Sequence, residues 1–305
     1  FVAKFYSATF FMLIKDFLNY LLLERNYSER TIVAYEADLR EFEEYFKKTD
    51  AELDFRSIHS DNVRNWMVSL MDEGRSETSV NRKLSSLRSF YRFLLRRKEI
   101  TVNPMLKVVG PRKKKPLPSF VREKDMDRLL DECSFGEGFE GYRDRTILEM
   151  FYATGMRLSE LIGLNDADVD FSAKLIKVTG KRNKQRLIPF GNELAEDLHL
   201  YIKVRNEVMP QGAEAFFVLK DGKRMYPMAV YRIVKRNLSR VVSLKKRSPH
   251  VLRHTFATAM LNDSAELRSV KELLGHESLS TTQRYTDVEI SHLQHEYQKA
   301  ELLKK

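Results

Sequence analysis

Apolar residues at 13, 14, 17, 18, 21 and 22 recur at helical spacing, and the pattern predicts a helix from Met12 to Arg25. Ser28 can cap a second helix that runs through Lys47, with Ile32, Tyr35, Leu39, Phe42 and Phe46 on one stripe. Ser60 can start a third, ended by Gly74. A fourth, from about Glu77 to Arg97, turns Leu84, Leu87, Tyr91 and Leu94 inward, while Arg88, Arg92 and Arg96 stand at four-residue steps on another face. The regular pattern then stops. Residues 110–118 hold three prolines and the basic run Arg112, Lys113, Lys114 and Lys115, which reads as a linker.

Beyond Ser119 the pattern changes. Helices are expected at about 122–133 and 142–153. Gly155 then permits a sharp turn that presents Arg157 at the head of a short helix, Leu158 to Gly163. Residues 174–190 alternate as a hairpin: KLIKV, a turn TGKRNK containing Lys181, then QRLIP. A helix from Asn192 to Val208 follows, then a second hairpin around Asp221-Gly222 and a basic helix with Arg232, Lys235, Arg236 and Arg240. Ser248-Pro249 is a strong helix start, and Leu252, Phe256 and Met260 can anchor that helix in a core. A last helix, Leu267 to Leu274, ends at Gly275. The fold class is mainly α with small β-hairpins (α+β). The expected domains are an all-helical one over 12–110 and a larger one over 119–305, joined by the basic linker 111–118.

Composition narrows the partner. A chain of 305 residues, 43% hydrophobic and 31% charged, supports two soluble cores. The net charge of +10 favours a polyanion. The single Cys133 excludes an internal disulfide framework and fits a reducing compartment. The apolar run at residues 5–14 is too short to cross a bilayer and lacks the features of a secretory signal. Residues 1–11 read as non-native or an upstream extension before a natural start at Met12, and the protein is expected in the cytoplasm, with no membrane partner.

Four residues near the C-terminus carry chemistry. His250 and Arg253 lie at i and i+3, one turn apart on one helix face; His276 follows Gly275, and Tyr285 comes nine residues later. A tyrosine hydroxyl with a pKa near 10 attacks poorly unless the attacked group is held by positive charge. Arginine offers a permanent charge and a fork that fits two phosphate oxygens, and histidine moves protons near neutral pH. Two other chemistries fit worse. His250 and His254 have a zinc-binding spacing, but no glutamate follows the first histidine and no third ligand is evident. Gly180-Lys181 hints at a phosphate-binding loop, but Leu175 and Arg182 stand where that motif needs glycine and serine or threonine.

The segments HVLRHTFAT at 250–258 and LLGHESLSTTQRY at 273–285, with TGMRLSEL at 154–161, resemble the tyrosine recombinase (phage integrase) family, and their spacing is most similar to the Xer recombinases. One departure is Ser264, where Xer proteins often have glycine in the turn before the LLGH helix. The resemblance runs from about residue 12 to the end. It implies a helical, SAM-like core-binding domain and a catalytic domain that together form a C-shaped clamp on DNA. It implies strand cleavage and rejoining through a 3′-phosphotyrosyl link on Tyr285, with Arg157, Lys181, His250, Arg253 and His276 completing the catalytic set. Lys184 is a neighbouring candidate for the role of Lys181. Arg88, Arg92, Arg96 and the run Arg112 to Lys115 become DNA contacts. No metal and no cofactor are implied. The partners are double-stranded DNA with paired half-sites, a homo- or hetero-tetramer of recombinases, and optionally a septal DNA translocase. Residues 289–301, with Ile290, Leu293, Tyr297 and Ala300 on one side, become a helix that docks on a neighbouring protomer. The role implied is resolution of chromosome or plasmid dimers in chromosome partition and cell division. The alternatives are the integrase of a mobile element and a non-catalytic DNA-binding protein; many phage integrases carry an extra arm-binding domain, for which this chain has no room.

Overall fold

The computed structural model describes residues 2–49, 54–112, 119–180, 184–209, 214–262, 267–275 and 297, with side chains described outside 2–10, 49, 267, 268 and 271. The chain divides into two compact units, Phe1–Pro116 and Leu117–Lys305, with the division falling inside the proline-rich stretch.

The first unit is all-helical among its described residues: α1 (Val2–Asn19), α2 (Glu29–Thr49), α3 (Ser60–Asp72) and α4 (Glu77–Arg96). Every residue expected to face inward on α4 is buried, around a core of Phe17, Phe42, Phe55, Trp66 and Phe90. The rings of Phe42 and Trp66 meet edge to face at 4.8 Å, as their quadrupoles favour. One expectation is corrected. The first helix begins at Val2, because residues 2–19 contain neither glycine nor proline to stop it. It closes in a wide π-helical turn, Tyr20–Glu24, that leaves Leu22 and Leu23 exposed. α3 begins at Ser60 as expected, capped by His59, whose backbone N–H donates to Asn62 Oδ1 at 2.9 Å.

The second unit is built around α6 (Phe139–Thr154), which is buried on almost every side and packs against three later helices. These are α8 (Asn192–Val208), α9 (Pro227–Leu238) and α10 (Pro249–Asn262). The short α5 (Glu123–Asp127) precedes α6, and α7 (Leu158–Gly163) and α11 (Leu267–Leu274) complete the helices. The hairpin forms as β2 (Leu175–Thr179) against β3 (Gln185–Pro189), with Ile176 opposite Ile188. A strand not expected, β1 (Val169–Asp170), pairs with β2 and makes a three-stranded antiparallel sheet. The expected second hairpin around Asp221-Gly222 is short: an antiparallel bridge joins Val218 and Arg224, the Leu219 N–H donates to the Lys223 carbonyl at 2.7 Å and the Met225 N–H to the Phe217 carbonyl at 3.2 Å. Its flanking residues also enter the core, where Phe216 and Phe217 pack on Tyr201. Arg240 lies beyond the end of α9. No helix among the described residues is long and apolar enough to cross a membrane.

Candidate active site

Gly155 is where the site begins. It caps α6 with φ +58°, a left-handed conformation, and a Cβ there would meet the Phe256 ring at 2.4 Å. The tight turn places Arg157 at the N-cap of α7. Glu160, one turn on, reaches back: its Oε2 accepts from the Arg157 backbone N–H at 2.7 Å, and its Oε1 accepts from Arg157 Nη1 at 2.8 Å. The acid at the head of the helix therefore fixes the arginine in front of it.

Arg253 arrives from α10, held by Leu252, Phe256 and Met260, which are buried as expected. Its guanidinium is buried and donates to the Gly155 carbonyl at 2.5 Å and to the Leu274 carbonyl. Arg157 Nη2 donates to the Gly275 carbonyl at 2.7 Å. A third arginine joins them: Arg186 of β3 donates from Nε to the Leu273 carbonyl at 2.8 Å. Three arginines from three separate elements thus take three successive carbonyls at the C-terminal end of α11. Those carbonyls have no partner within the helix and carry the negative end of its dipole, so cations suit them. Gly275 caps the end with φ +61°, and the chain leaves at that point toward position 276.

The electrostatics are lopsided. Burial would raise the Glu160 carboxyl, but Arg186 and then Arg157 outweigh it and hold the group down at about 2. Arg253 moves the other way: burial, then the charges of Arg157 and Arg186, push it down to about 10, still cationic at neutral pH. His250 is exposed on α10. Its partial desolvation, followed by Arg253, His254 and Arg157, lowers its pKa, so the neutral imidazole prevails at pH 7. Among the described residues, three guanidinium groups face one carboxylate, an arrangement made for an anion. The named bonds occupy two of five N–H donors on Arg157 and two of five on Arg253.

The structure therefore brings Arg157, His250 and Arg253 together. Gly180 stands beside them, since a Cβ there would lie 3.3 Å from Glu160 Oε1 and 3.8 Å from Arg157 Nη1. Its N–H donates to the Lys184 carbonyl at 2.7 Å and closes the base of the β2–β3 turn. Lys181, His276 and Tyr285 lie outside the described residues; Lys184 is exposed. Of the expected tail, Tyr297 is described. It is buried in its own unit with Phe256, Met260 and Leu273, and its hydroxyl donates to the Ala153 carbonyl at 2.8 Å. In the first unit Arg88 is half-buried and donates to the Val108 carbonyl at 3.1 Å. Arg92 and Arg96 are exposed on α4, with Arg96 over the Tyr20 ring at 5.5 Å, and Arg112 is exposed, while Lys113, Lys114 and Lys115 fall outside the described residues. No group of three or more His, Cys, Asp or Glu side chains that could hold a metal ion occurs among the described residues.

Two residues of the cluster escaped the sequence reading. Glu160 is the acid three after Arg157 at a helix start, a capping-box spacing. Arg186 sits two residues before the buried Ile188, on the same face of β3, and a charge on the inward face of a strand is itself a signal.

The arginine cluster thus sits in a mainly helical unit with a small antiparallel sheet. The phage integrase family matches residues 119–292, and the N-terminal SAM-like domain of phage integrases matches residues 14–98. The chain belongs to the phage integrase family and is a tyrosine recombinase. It is 40% identical over 311 residues to the tyrosine recombinase XerC of Chlorobaculum tepidum, covering 93% of each chain. It is likewise 40% identical over 293 residues to that of Pediococcus pentosaceus, covering 94% of this chain and 97% of the relative. Among solved structures, the XerH recombinase bound to a palindromic difH substrate shares its fold with a TM-score of 0.70 at 20% identity, over 90% of this chain and 78% of that one. The Tn1549 transposon integrase in complex with transposon right end DNA does so with a TM-score of 0.70 at 19% identity, over 93% and 94%.

Proposed function

We propose that this recombinase cleaves and rejoins duplex DNA at a specific site through Tyr285, in the manner of Xer proteins, and acts on chromosome or plasmid dimers. The observation that carries the reading is the meeting of Arg157 and Arg253 over the last carbonyls of α11, directly before His276 and ten positions before Tyr285. In this reading the two guanidinium groups hold the non-bridging oxygens of the scissile phosphate. The Tyr285 oxygen forms a bond to phosphorus as the bond to the 5′ oxygen breaks. The phenolic proton leaves toward neutral His250, and Lys181 protonates the departing 5′ oxygen. Reversal by a different 5′ hydroxyl completes strand exchange, and the phosphotyrosyl bond conserves the energy, so no nucleotide is consumed. Each fixed donor on the developing charge is worth roughly 3–4 kcal/mol. His276 donates a further hydrogen bond to the phosphate.

Arg88, Arg92, Arg96 and the run from Arg112 to Lys115 contact the DNA backbone, each through charge and without reading sequence. Two copies on paired half-sites and a tetramer at synapsis follow from the same reading. Likeness to XerC proteins over nearly their whole length favours the resolvase role over a mobile-element integrase. The test is covalent capture on a nicked suicide duplex in excess chelator and without ATP. Wild type forms a protein–DNA adduct, and Tyr285→Phe forms none while binding DNA equally well. An adduct on the Phe variant, or cleavage that appears only on adding metal, refutes the mechanism.

A further inference from the structure

We infer that Arg186 is a positioning residue for this reaction: it takes up the charge of Glu160, so that Arg157 keeps its own charge for the scissile phosphate. The inference rests on reading the site as a phosphoryl-transfer centre. Arg186 meets Glu160 end on, with Nη1 to Oε1 at 2.6 Å and Nη2 to Oε2 at 2.9 Å. Both oxygens of the carboxylate are shared, since Oε1 also accepts from Arg157 Nη1 and Oε2 from the Arg157 backbone N–H. The Glu160 side chain is fully buried and that of Arg186 is 7% exposed, whereas that of Arg157 is 35% exposed. Glu160 thus lies between an inner arginine and an outer one.

The order matters because of the dielectric. With one arginine for a partner, the buried carboxylate would cancel the charge of Arg157 at close range, and little attraction would remain for a phosphate arriving on the open side. With Arg186 beneath it, the trio keeps a net positive charge, and the charge is expressed at the only exposed member. Arg186 also fixes the geometry. Its Nε holds the Leu273 carbonyl, and a Cβ on Gly275 would sit 3.2 Å from its side chain, so it underlies the turn that leads to His276. Buried and committed to three hydrogen bonds, it does not itself touch the phosphate.

A charge role and simple scaffolding respond differently to a neutral substrate. Adduct formation is measured on two nicked duplexes, one with an ordinary scissile phosphate and one with a methylphosphonate, which is neutral. On the phosphate, Arg186→Gln slows cleavage by roughly 100-fold, the usual cost of losing one electrostatic donor. On the methylphosphonate the same substitution costs less than about tenfold, because the phosphorus group carries one negative charge fewer for Arg157 to hold. Arg186→Lys, which keeps the charge, stays within about tenfold of wild type on the phosphate. Adding Glu160→Gln to Arg186→Gln recovers at least about tenfold, because the carboxylate that would cancel Arg157 is gone. Equal losses on both substrates with no recovery in the double variant mean a scaffold role and overturn the inference. So does wild-type cleavage by Arg186→Gln, with the phosphoryl-transfer reading left standing. Wild type that forms no adduct overturns that reading and this inference together. If Arg186→Gln does not fold, the lysine and double variants decide: a loss of roughly 100-fold in either one sinks the inference.

Discussion

Each unit holds buried acids among cations, and two of these clusters, one from each unit, are balanced differently. In the first unit Asp38, 0% exposed, accepts from both Nη atoms of Arg82 at 2.6 Å, from Ser86 Oγ at 2.6 Å and from Lys83 Nζ at 3.3 Å. Lys83 is also bonded to Glu41. Two acids meet two bases, all from α2 and α4, and the cluster ties those helices together. In the second unit Glu160 meets Arg157 and Arg186, with Arg253 beside them bonded to backbone carbonyls. The first cluster is closed on itself, and the second is short of one or two negative charges. A surplus of buried positive charge costs stability, and a fold keeps it where a ligand will supply the missing anion. Balance marks a joint, and imbalance marks a site.

The largest expected effect comes from breaking the joint. Asp38→Ala leaves buried Lys83 with only Glu41 and takes from the Ser86 hydroxyl its 2.6 Å hydrogen bond. Removing one partner from such a network costs about 3–5 kcal/mol. Urea unfolding of the first unit should show its unfolding free energy fall by that amount, while cleavage per folded molecule stays near wild type. A change below about 1 kcal/mol would mean that the cluster is solvated and holds nothing together.

Next comes the reverse case in the second unit. Arg253→Gln removes a cation from a surplus, so melting should change little or rise slightly. Cleavage of a suicide duplex should fall about 100- to 1,000-fold with DNA affinity nearly kept. A variant that instead unfolds in proportion to its lost activity would place Arg253 with the joints and erase the contrast between the clusters.

How much of this was legible in the sequence depends on what each part uses for its signal. The helices of the first unit were readable because each keeps one apolar stripe, as Leu84, Leu87, Tyr91 and Leu94 show on α4. The N-cap position of Arg157 and the glycine ends at 155 and 275 were readable because turn chemistry is local. The two-residue β1 was not, because so short a strand has no period and forms only against β2. The turn at Asp221-Gly222 was readable from its dipeptide, and the antiparallel bridge beside it is one residue pair long. Arg157 and Arg253 were found through their motifs. Glu160 and Arg186 were overlooked because their meaning lies in a contact 26 positions apart, and no local pattern reports that distance.

Another buried acid, Glu149, supplies the case with too little positive charge, and here the smallest effect is expected. Glu149 on α6 and Asp197 on α8 share the single guanidinium of Arg145, which lies 3.5 Å from Glu149 Oε2. That oxygen is buried and accepts no hydrogen bond among the described residues. Burial first, and the facing Asp197 second, push the Glu149 carboxyl well above the usual range, so a proton supplies the missing positive charge. The sign of the pH effect follows. The folded protein holds this proton at neutral pH and the unfolded chain does not, so stability is lost as pH rises from about 4.5 toward the raised value. Above that value the loss grows no further. This is opposite to Glu160, whose depressed pKa gives stability that is present above about pH 4.5 and lost as pH falls toward 2. Glu149→Gln mimics the protonated acid at every pH and can still donate to Asp197. It should raise the melting temperature of the second unit by about 2–4 °C at pH 8, on the order of 1 kcal/mol, and by almost nothing at pH 4. A benefit that is the same at both pH values, or a lower melting temperature at pH 8, would show that Glu149 is ionised in the fold and that Arg145 suffices for both acids.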